Sequence, residues 1–140
     1  MATKSVYVTD KKDRNMLSNK RILLIEDDED LRIIFSAKLE DLNSFITIAH
    51  SGNEAISLLE NDLKIDFIIS DYSMPDGNGP DVLNYVAHNN LSVPFVFYTS
   101  NINPDIPIEY EHFLGTIHKF NFDQLLKVII RELAGGTRSL

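Results

Sequence analysis

The sequence predicts the α/β fold class, with a doubly wound parallel sheet of five strands flanked by helices in a (βα)5 order. From Arg21 onward, short apolar runs rich in β-branched residues alternate with longer stretches of helical period. This alternation is typical of parallel strands joined by crossover helices. The run Phe67–Ile69 is apolar without a break, as in a central strand covered on both faces. The 140 residues suffice for one domain with its own core.

The first strand is predicted over Ile22–Ile25, and it ends abruptly in an acidic run from Glu26 to Asp30. The stretch that follows has apolar residues at steps of three and four, which predicts a helix with one buried face. The residues of that face are Leu31, Ile34, Phe35, Leu39 and Leu42.

The second strand is predicted over Phe45–Ala49, and Ser51 and Gly52 form a turn before a second helix. The third strand ends at Ser70 and Asp71, and a loop dense in turn residues leads to a third helix. The buried faces of these two helices comprise Ala55, Ile56, Leu59 and Leu63 in one, and Val82, Leu83, Val86 and Ala87 in the other.

The fourth and fifth strands are predicted over Val93–Tyr98 and Thr116–His118. Between them, residues 101–111 hold two prolines and little periodicity, so we expect a short or irregular helix there. Asn121, with Gln124 three residues later, is a plausible N-cap of the last helix. The pair Gly135 and Gly136 is expected to end that helix.

These elements imply three segments of the chain. We expect a polar, partly disordered arm over residues 1–20, a single domain over residues 21–134 and a short tail over residues 135–140. They leave no room for an output domain, so a stand-alone domain is expected.

Composition excludes several functional classes. No run approaches the roughly 18 apolar residues of a membrane span, and the polar start does not suit a signal peptide, so we expect a cytoplasmic protein without membrane insertion. The absence of cysteine excludes disulfide scaffolds and thiolate metal sites. A net charge of -8 argues against a nucleic-acid partner, which requires a basic surface.

The predicted strands end in residues that can carry chemistry. In open α/β sheets, ligands bind outside the carboxyl ends of the strands, and the polar residues there are Glu26, Asp27, Asp71, Thr99 and Lys119. Three carboxylates at one edge repel one another unless a cation lies among them, and oxygen ligands suit Mg²⁺ better than zinc. An ammonium and a hydroxyl nearby can neutralise and orient a phosphoryl group. The pattern therefore indicates phosphoryl transfer.

These residues and their order resemble the response regulator receiver family, the CheY-like domains of bacterial two-component signalling, over nearly all of residues 20–133. The resemblance rests on ILLIEDDEDLR at the first strand, DFIISDYSMPDGNG around Asp71, FVFYTS at the fourth strand and HKF at the fifth. Each motif alone is weak, but all four stand at strand ends in the order of the family. The resemblance implies a flavodoxin-like fold.

The resemblance also implies a role for each site residue. Asp71 matches the phosphoacceptor, Thr99 the hydroxyl that hydrogen-bonds the phosphoryl group and Lys119 the lysine that pairs with it. Asp27 matches the acid that binds Mg²⁺ directly, and Glu26 the acid that binds it through water. The third protein ligand is the backbone carbonyl of Ser73. A shift by one residue, which would use Asp27 and Asp28, remains open.

The implied function is signalling, not classical enzymology. A phosphohistidine on a histidine kinase or a histidine phosphotransfer protein would donate its phosphoryl group to Asp71, and the product would dock onto an unidentified protein target or pass the group along a relay. The alternative is a pseudo-receiver that keeps the fold as a protein-binding module without phosphorylation. An aspartyl-phosphate phosphatase is disfavoured because Ser73 stands where such enzymes carry a second aspartate.

Two positions depart from the family pattern. Thr116 stands where an aromatic ring often turns inward on activation, so we expect the loop after Thr99 to move without a ring flip at that position. Phe120 replaces a common proline after Lys119. Because a cis bond without proline costs about 2.5 to 4 kcal/mol, the bond between Lys119 and Phe120 is predicted to be trans.

Overall fold

The computed structural model describes residues 17–101, 104–106 and 108–133. One sheet of five parallel strands has the order β2-β1-β3-β4-β5. The strands are β1 (Arg21–Ile25), β2 (Phe45–Ala49), β3 (Phe67–Ser70), β4 (Phe95–Thr99) and β5 (Phe113–His118). The helices within the described residues are α1 (Glu29–Glu40), α2 (Gly52–Glu60), α3 (Gly79–His88) and α4 (Phe122–Leu133). The predicted doubly wound α/β class is confirmed.

The sheet separates two apolar clusters, because successive side chains of a strand point to opposite faces. On β3, Ile69 packs with α1 and α4 residues on one face, whereas Ile68 packs with α2 and α3 residues on the other. All four residues of β3 are buried. The prediction of a central strand covered on both faces is confirmed.

Polar side chains fix where the helices begin. Asp28 caps α1 by accepting a hydrogen bond from the backbone N–H of Leu31 at 3.1 Å. The predicted cap of α4 is also present, since the Asn121 side chain accepts from the backbone N–H of Gln124 at 3.2 Å. Each cap satisfies a donor that the first helical turn leaves unpaired.

Helix α1 buries a narrower face than its sequence predicted. Phe35 and Leu39 are buried, as is Leu42 just beyond the helix. Ile34, however, is 46% exposed, and its neighbour Ile33 is exposed as well. Successive residues of a helix are rotated by about 100°, so Ile34 lies to one side of the apolar stripe centred on Phe35. The prediction that Ile34 belongs to the buried face was therefore wrong.

The crossover from β4 to β5 also differs from the prediction. None of the described residues of this segment (101, 104–106 and 108–112) is helical, so the expected short or irregular helix is not found in them. Pro104 supplies no backbone donor for a helical hydrogen bond. Strand β5 begins at Phe113, three residues earlier than predicted, and pairs with β4 through a register shift. Gly115, with φ of 108°, lies in this irregular stretch and interrupts the apolar pattern.

The ends of the predicted domain are only partly described. Leu17, inside the predicted arm, is buried in the cluster beside α1 and α4, and the backbone N–H of Asn19 donates to the carbonyl of Asn43 at 3.1 Å. Gly135 and Gly136 lie outside the described residues, as do residues 1–16. In the part of the chain that is described, no helix has the length and apolar character to cross a membrane.

Candidate functional site

The strand order brings the predicted residues to one edge of the sheet. The chain leaves β1 toward β2 and later crosses back to β3, so a crevice opens between the carboxyl ends of β1 and β3. The backbone N–H of Asp71 donates to the carbonyl of Ile25 at 3.0 Å, and that of Lys119 donates to the carbonyl of Thr99 at 2.9 Å. These bonds continue the sheet past the strand ends and hold the side chains at the crevice.

Lys119 bridges two buried carboxylates. Its Nζ lies 2.7 Å from Oδ2 of Asp71 and 3.1 Å from Oε1 of Glu26. The exposed fractions are 2% for Glu26, 8% for Asp71 and 7% for Lys119. Burying charges is costly unless they are paired and hydrogen-bonded, so these contacts are what allow the acids to lie inside.

The pKa values of this cluster reflect burial and pairing together. Burial raises the pKa of the Glu26 carboxyl, although the Lys119 ammonium beside it acts in the opposite direction. For Lys119, burial disfavours the ammonium, but hydrogen bonds and attraction from Asp71 and Glu26 outweigh it, so the pKa of Lys119 is raised. The lysine is therefore a permanent cation at physiological pH.

The same edge has a set of oxygen donors that fits a divalent cation. Glu26, Asp27 and Asp71 each offer one carboxylate oxygen, and these atoms lie within 4.8 Å of one another. Asp27 is exposed whereas the other two are buried, so the group opens to solvent on one side. Carboxylates in this number are the hard ligands that Mg²⁺ takes.

The side chain of Asp28 is used elsewhere, which favours the register with Glu26 and Asp27. Its Oδ1 caps α1 at Leu31, and its backbone N–H donates to Oε2 of Glu26 at 3.1 Å. Asp28 therefore supports the orientation of Glu26 and is not a member of the carboxylate group.

The loop that follows Asp71 holds the second oxygen of its carboxylate. The backbone N–H of Tyr72 donates to Oδ1 of Asp71 at 2.7 Å, so both carboxylate oxygens have a partner. Ser73, whose backbone carbonyl is a predicted metal ligand, follows in this loop and is exposed. The carboxylate of Asp71 is thus fixed by the backbone on one side and by Lys119 on the other.

Thr99 joins the site through its backbone. Its carbonyl accepts from Lys119, and its buried Oγ1 accepts from the backbone N–H of Asn101 at 3.2 Å. The structure thus brings Glu26, Asp27, Asp71 and Lys119 together at this edge, with Thr99 beside them at the end of β4.

The loop after Asp71 is fastened to the start of α2, a contact that the sequence did not predict. Asp76 accepts hydrogen bonds from Oγ of Ser51 at 3.0 Å and from Nδ2 of Asn53 at 2.9 Å. The carbonyl of Gly77 accepts from the backbone N–H of Gly52 at 2.8 Å. The Pro-Asp-Gly sequence indicated a turn, but nothing local identified its partner, which lies more than 20 residues earlier.

Gly79 lies close to the backbone of Asp71. A Cβ at this position would lie 2.3 Å from the carbonyl oxygen of Asp71 and 2.5 Å from Cε1 of Phe97. The backbone N–H of Gly79 donates to the carbonyl of Tyr72 at 2.9 Å. Only glycine lets α3 begin this close to the backbone of Asp71.

Gly79→Ala should destabilise the protein by about 2 kcal/mol, because the added methyl group overpacks against backbone that has no free rotamer to adopt. Urea denaturation measures the change. Asn84→Ala, at an exposed position of the same helix, is the control and should change stability by at most about 0.5 kcal/mol. Equal effects at the two positions would contradict the close approach at Gly79.

The two departures from the family pattern lie at β5 and just beyond it. Thr116 is exposed. The described residues contain no cis peptide bond, so the predicted trans bond between Lys119 and Phe120 is confirmed. Phe120 is 72% exposed and extends into solvent beside Lys119.

Comparison of the sequence with known proteins gives one family. The family model described as the response regulator receiver domain matches residues 22–129. The response regulator SaeR of Staphylococcus aureus is 35% identical over 79 residues, which are 56% of this chain and 34% of SaeR. The chain therefore spans about a third of the length of the curated relatives it matches.

Solved structures with the same fold include the chemotaxis protein CheY4 of Vibrio cholerae, with 25% identity, a TM-score of 0.70 and coverage of 83% of this chain and 100% of that one. The HemR receiver domain of Leptospira biflexa shares 26% identity and a TM-score of 0.67 over 83% and 95% of the two chains. TrrA of Thermotoga maritima, solved with Mg(2+)-BeF, has a TM-score of 0.73 at 23% identity over 81% and 99%. With most of its sequence matched and its fold shared, the chain belongs to the response regulator receiver domain family.

Proposed function

We propose that this chain accepts a phosphoryl group on Asp71 from a phosphohistidine of a histidine kinase or a histidine phosphotransfer protein. The phosphorylated domain then docks onto a protein target or passes the group along a relay. The observation that carries the proposal is the carboxylate of Asp71, held at the sheet crevice by the Lys119 ammonium and beside two further acids.

Family membership supports the coarser part of this proposal. Receiver domains are phosphoacceptor signalling modules, and they interact with histidine kinases or phosphotransfer proteins and with downstream targets. The identity of the donor and the target, the stand-alone architecture and the cytoplasmic location stay predictions.

The chemistry is an in-line displacement at phosphorus. A carboxylate oxygen of Asp71 attacks, the new O–P bond forms as the P–N bond to the donor imidazole breaks, and the imidazole nitrogen keeps the electron pair. Lys119, already 2.7 Å from Asp71, stabilises the charge on the equatorial oxygens of the phosphoryl group. Thr99 supplies a hydroxyl that can donate to one of those oxygens, because it only accepts from Asn101.

The acidic group fits Mg²⁺. Asp27, Asp71 and the backbone carbonyl of Ser73 would hold the ion directly, and Glu26 would hold it through water. Bound there, Mg²⁺ supplies positive charge that offsets the repulsion between the incoming phosphoryl group and the carboxylates. The protein itself provides the position of the nucleophile and the fixed cation.

The test is incubation of the full chain with acetyl phosphate and Mg²⁺, followed by intact mass measurement. We expect one added phosphoryl group with Mg²⁺ and none after chelation, because the three acids repel the donor when no divalent cation screens them. Restoring Mg²⁺ after chelation should restore uptake, which separates metal removal from damage to the protein.

The pseudo-receiver alternative predicts a different outcome. A protein that keeps the fold only as a binding module takes up no phosphoryl group and also fails to bind beryllofluoride, a stable mimic that does not hydrolyse. Thr116 and Phe120 favour this alternative, while the complete set of acids and Lys119 argues for phosphorylation. If the folded protein neither takes up a phosphoryl group from acetyl phosphate nor binds beryllofluoride, the pseudo-receiver alternative replaces the proposal.

A further inference from the structure

Tyr72 contacts both the acceptor and the segment between β4 and β5. Its backbone N–H donates to Oδ1 of Asp71 at 2.7 Å, and its hydroxyl donates to the backbone carbonyl of Asp105. The described residues of the segment are 101, 104–106 and 108–112. One residue therefore joins the reactive carboxylate to a surface segment 33 positions away in sequence.

Further contacts restrict rotation within Tyr72. Its carbonyl accepts from the backbone N–H of Gly79, and its ring packs edge-on against Phe97 of β4 with centroids 5.2 Å apart. Phe97 in turn packs against Phe113 of β5 at 5.6 Å. Because these contacts restrict rotation of the ring relative to the backbone, a movement of the Tyr72 backbone would carry its hydroxyl with it.

The segment has a second anchor that does not involve the acceptor. The hydroxyl of Tyr110 donates to the carbonyl of Val93 at 2.8 Å and accepts from the backbone N–H of Val93 at 2.7 Å. This anchor holds the end of the segment nearest β5 to Val93, two residues before β4, at the edge of the sheet opposite Asp71. The two tyrosines thus fasten the same segment at opposite ends of the sheet.

We propose that Tyr72 couples the chemical state of Asp71 to the arrangement of the segment between β4 and β5. In the family pattern, an aromatic ring that turns inward on activation often stands at the position of Thr116. Thr116 has no such ring, and Tyr72 provides a connection by another route. The inference rests on the proposed phosphorylation of Asp71, and it assigns to Tyr72 a positioning role and no part in the chemistry itself.

The coupling follows from the change in charge at Asp71. The hydrogen bond from the Tyr72 N–H is charge-assisted because its acceptor is an ionised carboxylate, and such bonds are about twice as strong as neutral ones. When either oxygen of Asp71 is phosphorylated, the carboxyl group becomes an acyl phosphate and no longer carries that charge. The bond to Tyr72 weakens, Tyr72 shifts, and its hydroxyl releases the Asp105 carbonyl.

Hydrogen exchange of the full chain tests this coupling, with Mg²⁺ present and with or without beryllofluoride. In the wild type we expect beryllofluoride to increase exchange of the backbone amides at residues 105, 106 and 108–112. Tyr72→Phe keeps the ring but removes the hydroxyl, so exchange there should already be high and the increase should fall by more than half. Tyr110→Phe is the matched control: it should raise exchange in both states and keep the increase.

The outcomes separate the two proposals. If beryllofluoride does not bind the wild type, phosphorylation and coupling fail together. If it binds but Tyr72→Phe shows the full wild-type increase, or the wild type shows none, the coupling is wrong and the proposed function stands.

A second measurement covers the case in which Tyr72→Phe does not fold. Fluorotyrosine placed at position 72 alone keeps the hydroxyl and gives a fluorine signal beside it. That signal should shift when beryllofluoride binds, while fluorotyrosine at position 110 alone should show little change. Equal shifts, or none at position 72, would overturn the inference.

Discussion

Asp71→Asn should abolish uptake of a phosphoryl group from acetyl phosphate in the presence of Mg²⁺. The amide keeps the size of the carboxylate, and its oxygen can still accept from the Tyr72 N–H, so the fold should survive. It lacks the anionic oxygen that attacks phosphorus and that pairs with the Lys119 ammonium. Intact mass measurement should show no adduct.

Asp28→Asn is the matched control for this experiment, since it changes a neighbouring acid in the same way. Asparagine is as good an N-cap as aspartate, so α1 should be unaffected and uptake should stay within a factor of about two of the wild type. An adduct on the Asp71 variant would place the phosphoryl group on another residue. Loss of uptake in the Asp28 variant would instead favour the alternative register with Asp27 and Asp28.

Most of the sheet could be predicted from sequence because its strands have a clear local signal. The runs at Ile22–Ile25, Phe45–Ala49 and Phe67–Ile69 are apolar and rich in β-branched residues, and each is a strand in the structure. Their order along the chain then fixes which polar residues stand at strand ends. The gathering of Asp71 and its neighbours at one edge follows from parallel pairing alone.

The remaining features depend on contacts between residues far apart in the chain. Nothing near Asp76 indicates that it binds Ser51, and nothing near Tyr72 indicates that its hydroxyl reaches Asp105. The exposure of Ile34 also could not be predicted from the sequence, since apolar periodicity identifies a helix but not the width of the face that its neighbours cover. Sequence therefore predicted that the acids at the strand ends lie together at one edge of the sheet but not the contacts that hold the loops around them.

Lys119→Met should both weaken the fold and suppress phosphorylation. Without the ammonium, the carboxylates of Glu26 and Asp71 are left buried without a positive charge beside them, which should destabilise the protein by about 3 kcal/mol near neutral pH. Loss of the fixed cation at the transferring phosphoryl group should slow uptake by roughly a hundredfold or more. Urea denaturation and mass measurement over time give the two quantities. Lys127→Met, at an exposed position of α4, should cost at most about 0.5 kcal/mol.

The pH dependence of the Lys119→Met defect tests its electrostatic origin. Burial already raises the pKa of Glu26, and Lys119 opposes that rise, so the variant should have a still higher Glu26 pKa. The folded variant then binds a proton more tightly than the unfolded chain, and stability recovers as pH falls through the raised pKa. A defect caused by lost packing would not recover on acidification.

Added Mg²⁺ should also reduce the loss of stability in Lys119→Met, because it replaces positive charge among the same carboxylates and binds only the folded state. A variant as stable as the wild type near neutral pH would mean that the two acids are not both ionised beside Lys119.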